Sequence, residues 1–208
     1  MTSPAPLLHN TYYHIYNRGI NDENIFVETR NYEHFLNLCE KYLSPVTDLF
    51  AYCLLRNHFH LLIRTRSEGK ILEPLKVSKT FRGSRPSSRH NSAQFSHFFN
   101  AYAKAINKAY GRTGSLFHHP FGRVPVTSDR QFWNVIAYIH QNPQKHGFVK
   151  DFRDWKYSSY GVILSGKKTC VNRNAVMEWF GSEKEYLGLH EHWVTDAESK
   201  WFAEEDYD

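Results

Sequence analysis

Residues 49–65, LFAYCLLRNHFHLLIRT, hold two apolar runs, 49–55 and 58–65, separated only by Arg56 and Asn57. Two such runs on so short a link predict an antiparallel β-hairpin. Side chains alternate along a strand, so His58 and His60 share one face while Phe59, Leu61 and Ile63 take the other. Two imidazoles on one sheet face can ligate a single metal ion. An isolated H-x-H pair is more often a solvated face, or core histidines satisfied by neighbours.

The flanking segments extend the hairpin into a mixed fold. Thr11–Tyr16 (TYYHIY) alternates and reads as a strand leaving through Asn17-Arg18-Gly19, with a short extension at Asn24–Val27. A helix follows over Thr29–Tyr42, with Thr29 as N-cap and Tyr32, Phe35, Leu36, Cys39 and Tyr42 at helical spacing. Gln94–Tyr110 is a second helix, with Phe95, Phe98, Phe99, Tyr102, Ile106 and Ala109 as its apolar stripe and Gly111 as its stop. Leu116-Phe117 and Arg123–Val126 supply another strand. Arg130–Asn142 is a third helix, capped by Ser128 or Asp129 and ended by Pro143. A strand at Gly161–Leu164 and a helix near Asn174–Phe180 complete the chain. The order strand, helix, strand, strand, helix, strand, with a further helix, predicts an α+β, ferredoxin-like antiparallel sheet with helices packed on one face. The histidines then lie under that layer or where the last helix meets the sheet.

At 208 residues, 41% hydrophobic and 16% aromatic, the chain can bury one substantial core. No apolar run has the length of a membrane span, and MTSPAPLLHN lacks the basic-then-apolar order of a signal peptide. Cys39, Cys53 and Cys170 are odd in number and widely spaced, the pattern of reduced cytoplasmic usage and not of a disulfide framework or zinc knuckle. The formal charge of +5 is unevenly spread. Residues 64–123 carry twelve Lys or Arg against two acids, whereas residues 178–208 carry ten acids against two lysines. A central basic block is the expected footprint of a polyphosphate partner, although it is also what a solvated loop looks like.

On the third helix Phe132, Val135, Ile136 and Ile139 account for packing, while Tyr138 and Asn142, four apart, project together. A phenol attacks poorly in water, but beside a cation and a polarised phosphate it becomes a workable nucleophile. Alone, Tyr138 reads more simply as a core ring. No phosphate loop offers an energy source: Gly161–Lys168 places Lys168 where Ser or Thr is needed. His190-Glu191-His192 repeats the H-x-H spacing in the acidic tail and reads as surface histidines. His118-His119 precedes Pro120 in a turn, where adjacent side chains diverge.

NRG after an aromatic strand, RNHFHLLI, GSLFHHPF, YIHQNPQKHGFV and DWKYSSY occur in an order that resembles the REP-associated tyrosine transposases. These are single-tyrosine insertion-sequence transposases of the HUH type (His, bulky apolar, His). The resemblance covers roughly residues 11–164 and rests on the histidine pair and YIHQNP occurring together. It implies a ferredoxin-like fold and cleavage of single-stranded DNA beside a hairpin, through a 5′-phosphotyrosine linkage and a free 3′-hydroxyl. It implies Tyr138 as nucleophile and His58, His60 and Asn142 as metal ligands, with Gln141 the less favoured substitute for Asn142. Ligand type alone favours manganese or zinc; the resemblance implies Mg²⁺ or Mn²⁺. Phe59 stands where a smaller aliphatic is usual, and because it points away from the metal it affects packing only.

The expected organisation is a catalytic domain over 1–164, with a basic loop at about 77–93, and an acidic C-terminal extension over 165–208. Arg18, Arg64, Arg82, Arg112 and Arg123 are the candidate DNA contacts, and Phe81 and Phe117 candidates for stacking on unpaired bases. The expected activity is that of a metal-dependent transposase and endonuclease in the cytoplasm, on single-stranded or hairpin DNA, as monomer or homodimer, with no membrane partner. Two alternatives stand beside it: a hairpin-DNA-binding protein that has lost catalysis, and an HUH replication initiator. Relaxases place the tyrosine ahead of the histidines; here it follows them.

Overall fold

The computed structural model describes residues 5–67 and 88–203. The segment between them, which contains Phe81, Arg82 and most of the expected basic loop, lies outside the described residues. Four strands, β1 (Tyr12–Arg18), β2 (Thr47–Leu54), β3 (His58–Thr65) and β4 (Gly122–Val126), form one antiparallel sheet in the order β2-β3-β1-β4. Helices α1 (Thr29–Leu38) and α2 (Ser88–Tyr110) complete the βαββαβ succession. α1 opens on a capping box between Glu28 and Asn31, one residue before the expected Thr29 cap.

Alternation along the strands gives the sheet two buried faces. Phe59 meets Phe35 of α1 and Phe99 of α2 at centroid distances of 4.9 and 5.9 Å, so the odd-numbered face of β3 lies under the two core helices. The other face carries Tyr12, His14, Tyr16, Phe50, His58 and His60. It is covered by a third helix, α3 (Asp129–Lys145), whose Phe132 packs edge-on against Tyr12 and Phe50. The α+β class and the antiparallel sheet are as expected. Confinement of the helices to one face is corrected: α3 lies on the opposite face. The physical reason is that both sides of β1–β3 carry large apolar or aromatic groups, and neither can be left to water.

α3 also runs past its expected end. Pro143 sits inside it, and the helix closes at His146–Gly147, where Gly147 adopts φ 71° and His146 N–H donates to the Asn142 carbonyl at 3.0 Å. The bias of a pre-proline residue against helical geometry is a preference, and the packing of α3 on the sheet outweighs it. Residues 160–164 form a short helix, α4 (Tyr160–Leu164), instead of a strand; an apolar run this short does not distinguish the two. The chain continues as α5 (Arg173–Phe180), α6 (Glu183–Glu191) and α7 (Asp196–Ala203). Val176, Tyr186 and Val194 of this region join the common core. Among the described residues no helix is long and apolar enough to cross a membrane.

Candidate active site

β1 and β3 pair so that Tyr16 lies opposite His60 and Arg18 opposite His58. This register sets the Tyr16 ring and the Arg18 guanidinium beside the two histidines. Tyr16 lies over Gly122 of the neighbouring strand so closely that a Cβ at that position would overlap its ring. α3 then lays Tyr138 and Asn142 onto the same patch: its last turns face β3, and residues four apart on a helix point together. The Tyr138 ring packs edge-on against His60 and His14, with centroids 5.6 and 6.1 Å away. Tyr138 is only 2% exposed.

The donor atoms are arranged in an unusual way. His58 Nδ1 is 2.8 Å from Asn57 Oδ1, and His58 Nε2 is 3.1 Å from Asn142 Oδ1. Both partners are acceptors, and a neutral imidazole has one N–H to give. Burial, helped by the neighbouring His146 and Arg18, pushes His58 down to about 4, so at neutral pH it carries no second proton. One of its two contacts therefore sets lone pair against lone pair. Asn142 Nδ2 has no hydrogen-bond partner among the described residues. His60, fully buried, is held well below its ordinary value by desolvation and by His14, and its Nδ1 shares a 3.0 Å hydrogen bond with His14 Nε2.

These residues fit a divalent cation. Two neutral imidazoles and an amide oxygen are suitable donors, and a 3.1 Å separation is about the edge of an octahedron whose bonds measure about 2.1 Å. No group of three or more His, Cys, Asp or Glu side chains that could hold a metal occurs among the described residues.

Of the residues singled out from sequence, His58, His60, Tyr138, Asn142 and Arg18 come together. Arg18 also pairs with Asp22. Arg64 lies at the far end of β3, bonded to Asn10. Arg112 pairs with Glu23 and with Asn107. Arg123 is opposite Ile15 in the sheet, on the α2 side, with its guanidinium 3.9 Å over the Phe121 ring. Arg82 lies outside the described residues, and Phe117 is in the core. Gln141 faces away from the histidines: its side chain donates to the His192 carbonyl at 2.7 Å and accepts from Val194 N–H at 3.0 Å.

Sequence reading missed His14, Asn57 and His146. His14 and Tyr16 share a face by simple alternation, but only the strand register brings them to His60. His190 is a correction: it is buried, not on the surface, and its ring meets His140 of α3 at 2.7 Å. Its neighbourhood is helical, so His190 and His192 diverge where a strand would have aligned them.

The solved structure of a REP-associated tyrosine transposase bound to a REP hairpin matches this fold with a TM-score of 0.58 and 15% identity, over 79% of this chain and 85% of that one. A Haemophilus influenzae protein with the provisional name REP-associated tyrosine transposase is 27% identical over 126 residues, 59% of this chain. The chain resembles the REP-associated tyrosine transposases. The match spans 62% of the length of the Haemophilus protein. No family model matches the chain.

Proposed function

We propose that this protein is a metal-dependent REP-associated tyrosine transposase that cleaves and rejoins single-stranded DNA beside a hairpin. The observation that carries this reading is the approach of His58 Nε2 to Asn142 Oδ1, 3.1 Å apart on the face where Tyr138 packs. His58, His60 and Asn142 would hold Mg²⁺ or Mn²⁺. When bound, the cation would act as a Lewis acid on a non-bridging phosphate oxygen. Tyr138 Oη forms the new bond to phosphorus as the bond to the 3′-oxygen breaks, and the phenol proton passes in net to that leaving oxygen. The product is a 5′-phosphotyrosine and a free 3′-hydroxyl. One phosphodiester replaces another, so no nucleotide is consumed. Arg18, opposite His58 in the sheet, would meet the phosphate.

Tyr138 is covered, so attack requires its hydroxyl to be uncovered while Asn142 stays beside His58. The same burial supports a second reading, a hairpin-binding protein without turnover. Incubation with labelled single-stranded oligonucleotides carrying a REP hairpin, plus Mg²⁺ or Mn²⁺, separates the two. A covalent protein–DNA adduct that vanishes in Tyr138→Phe is the expected result. Hairpin binding with no adduct under either metal would establish the second reading instead.

A further inference from the structure

We propose that His14 is a positioning residue of the cation site: it accepts the Nδ1–H of His60 and so fixes the tautomer that turns the His60 Nε2 lone pair toward a divalent cation. This rests on the site reading above. A histidine that ligates through one nitrogen needs its other N–H held by an acceptor, which sets both tautomer and ring orientation. His60 and His14 are each fully buried, so a neighbouring side chain, not bulk solvent, sets that orientation. The two nitrogens stand 3.0 Å apart and the rings are nearly parallel, at 17°.

His58 shows the same arrangement with a different partner. Its Nδ1 stands 2.8 Å from Asn57 Oδ1, an oxygen able to take the Nδ1–H of the same tautomer. Both histidines of β3 are thus engaged through Nδ1, one by the residue just before the strand and one from β1. Tyr16 packs on His14 and His60 at centroid distances of 5.1 and 6.1 Å and limits rotation of both rings. His14 needs no contact with DNA in this role, which separates it from Tyr138 and Arg18.

The experiment uses the full chain and Mn²⁺ alone. Free Mn²⁺ is followed by electron paramagnetic resonance for the wild type, His60→Ala, His14→Phe and His14→Gln, and thermal unfolding is recorded for each. Long-range nitrogen–proton NMR of the metal-free wild type reads the His60 tautomer directly and requires no substitution. The expected results are an Nδ1–H tautomer at His60, no tight Mn²⁺ binding in His60→Ala, and affinity lowered about 10- to 100-fold in His14→Phe. His14→Gln, whose amide oxygen can still accept, should recover most of that loss. An Nε2–H tautomer at His60, or undiminished affinity in a folded His14→Phe alongside loss in His60→Ala, overturns the role of His14 alone. Wild-type affinity in a folded His60→Ala would remove the cation site itself, and this inference with it.

Discussion

Tyr138 stands nearly perpendicular to His60, ring against ring at 5.6 Å, across the seam between α3 and the sheet. Tyr138→Phe keeps that ring and removes only the hydroxyl. The substitution should therefore change stability by no more than about 1.5 kcal/mol while eliminating the covalent DNA adduct. A labelled-oligonucleotide gel run beside a urea denaturation curve checks both halves. An adduct that survives would move the nucleophile elsewhere.

His58 and His60 should separate in stability although both are assigned to the cation. His60→Ala strips buried His14 Nε2 of its hydrogen bond to His60 and leaves a hole in the sheet face, costing roughly 2–4 kcal/mol. His58 sits at the strand end and is less completely covered, so His58→Ala should cost less than His60→Ala and yet abolish adduct formation. Equal destabilisation by the two would reassign His58 to the core.

Helix α3 is tied to the C-terminal region by a chain of neutral groups. His190 Nδ1–H donates to the Tyr186 carbonyl at 2.7 Å, so its Nε2 must accept from His140 Nδ1–H, also at 2.7 Å. His140 Nε2 then accepts the Ser159 hydroxyl at 2.7 Å, and Ser159 Oγ receives Tyr52 N–H at 2.8 Å. His140→Ala leaves two of these groups bare. A loss of about 2–4 kcal/mol is expected, with faster proteolytic release of the segment from α5 onward. Unchanged protection of that segment would show that the chain contributes little.

The buried histidines also set a pH dependence. Burial pushes His58 and His190 from 6.5 to about 4, and also holds His60 and His140 well below their ordinary value. Between about 4 and 6.5 the unfolded chain binds protons there that the folded chain does not. Stability is therefore full above 6.5 and falls as pH drops through that window, by up to about 1.4 kcal/mol per pH unit for each histidine. The urea midpoint should decline between about pH 6.5 and 5, above the ordinary carboxylate range. A flat midpoint over that interval would show that these histidines are not held neutral.

The sheet and the face shared by His58 and His60 were legible because alternation in β3 is a local property. So was the pairing of Tyr138 with Asn142, which needs only helical spacing. His14 was not legible as a neighbour of His60, since nothing local sets the offset between β1 and β3. The course of α3 through Pro143 was obscured for a different reason. A residue preference argued for a stop there, while the contacts that hold the last turns of α3 on the sheet are made by Tyr138 and Asn142 with His60 and His58, far away in the chain. His190 was misjudged because an H-x-H spacing has opposite meanings on a strand and on a helix.

Gly122 has a consequence for any attempt to diversify this protein. Hydrogen is the only substituent that position tolerates while the Tyr16 phenol stays where it is. Even alanine would drive that phenol off its bed, and the imidazoles stacked against it would lose their wall. In a saturation library scored for function, position 122 should stand out as intolerant although it bears no chemistry of its own, with its defect transmitted through Tyr16.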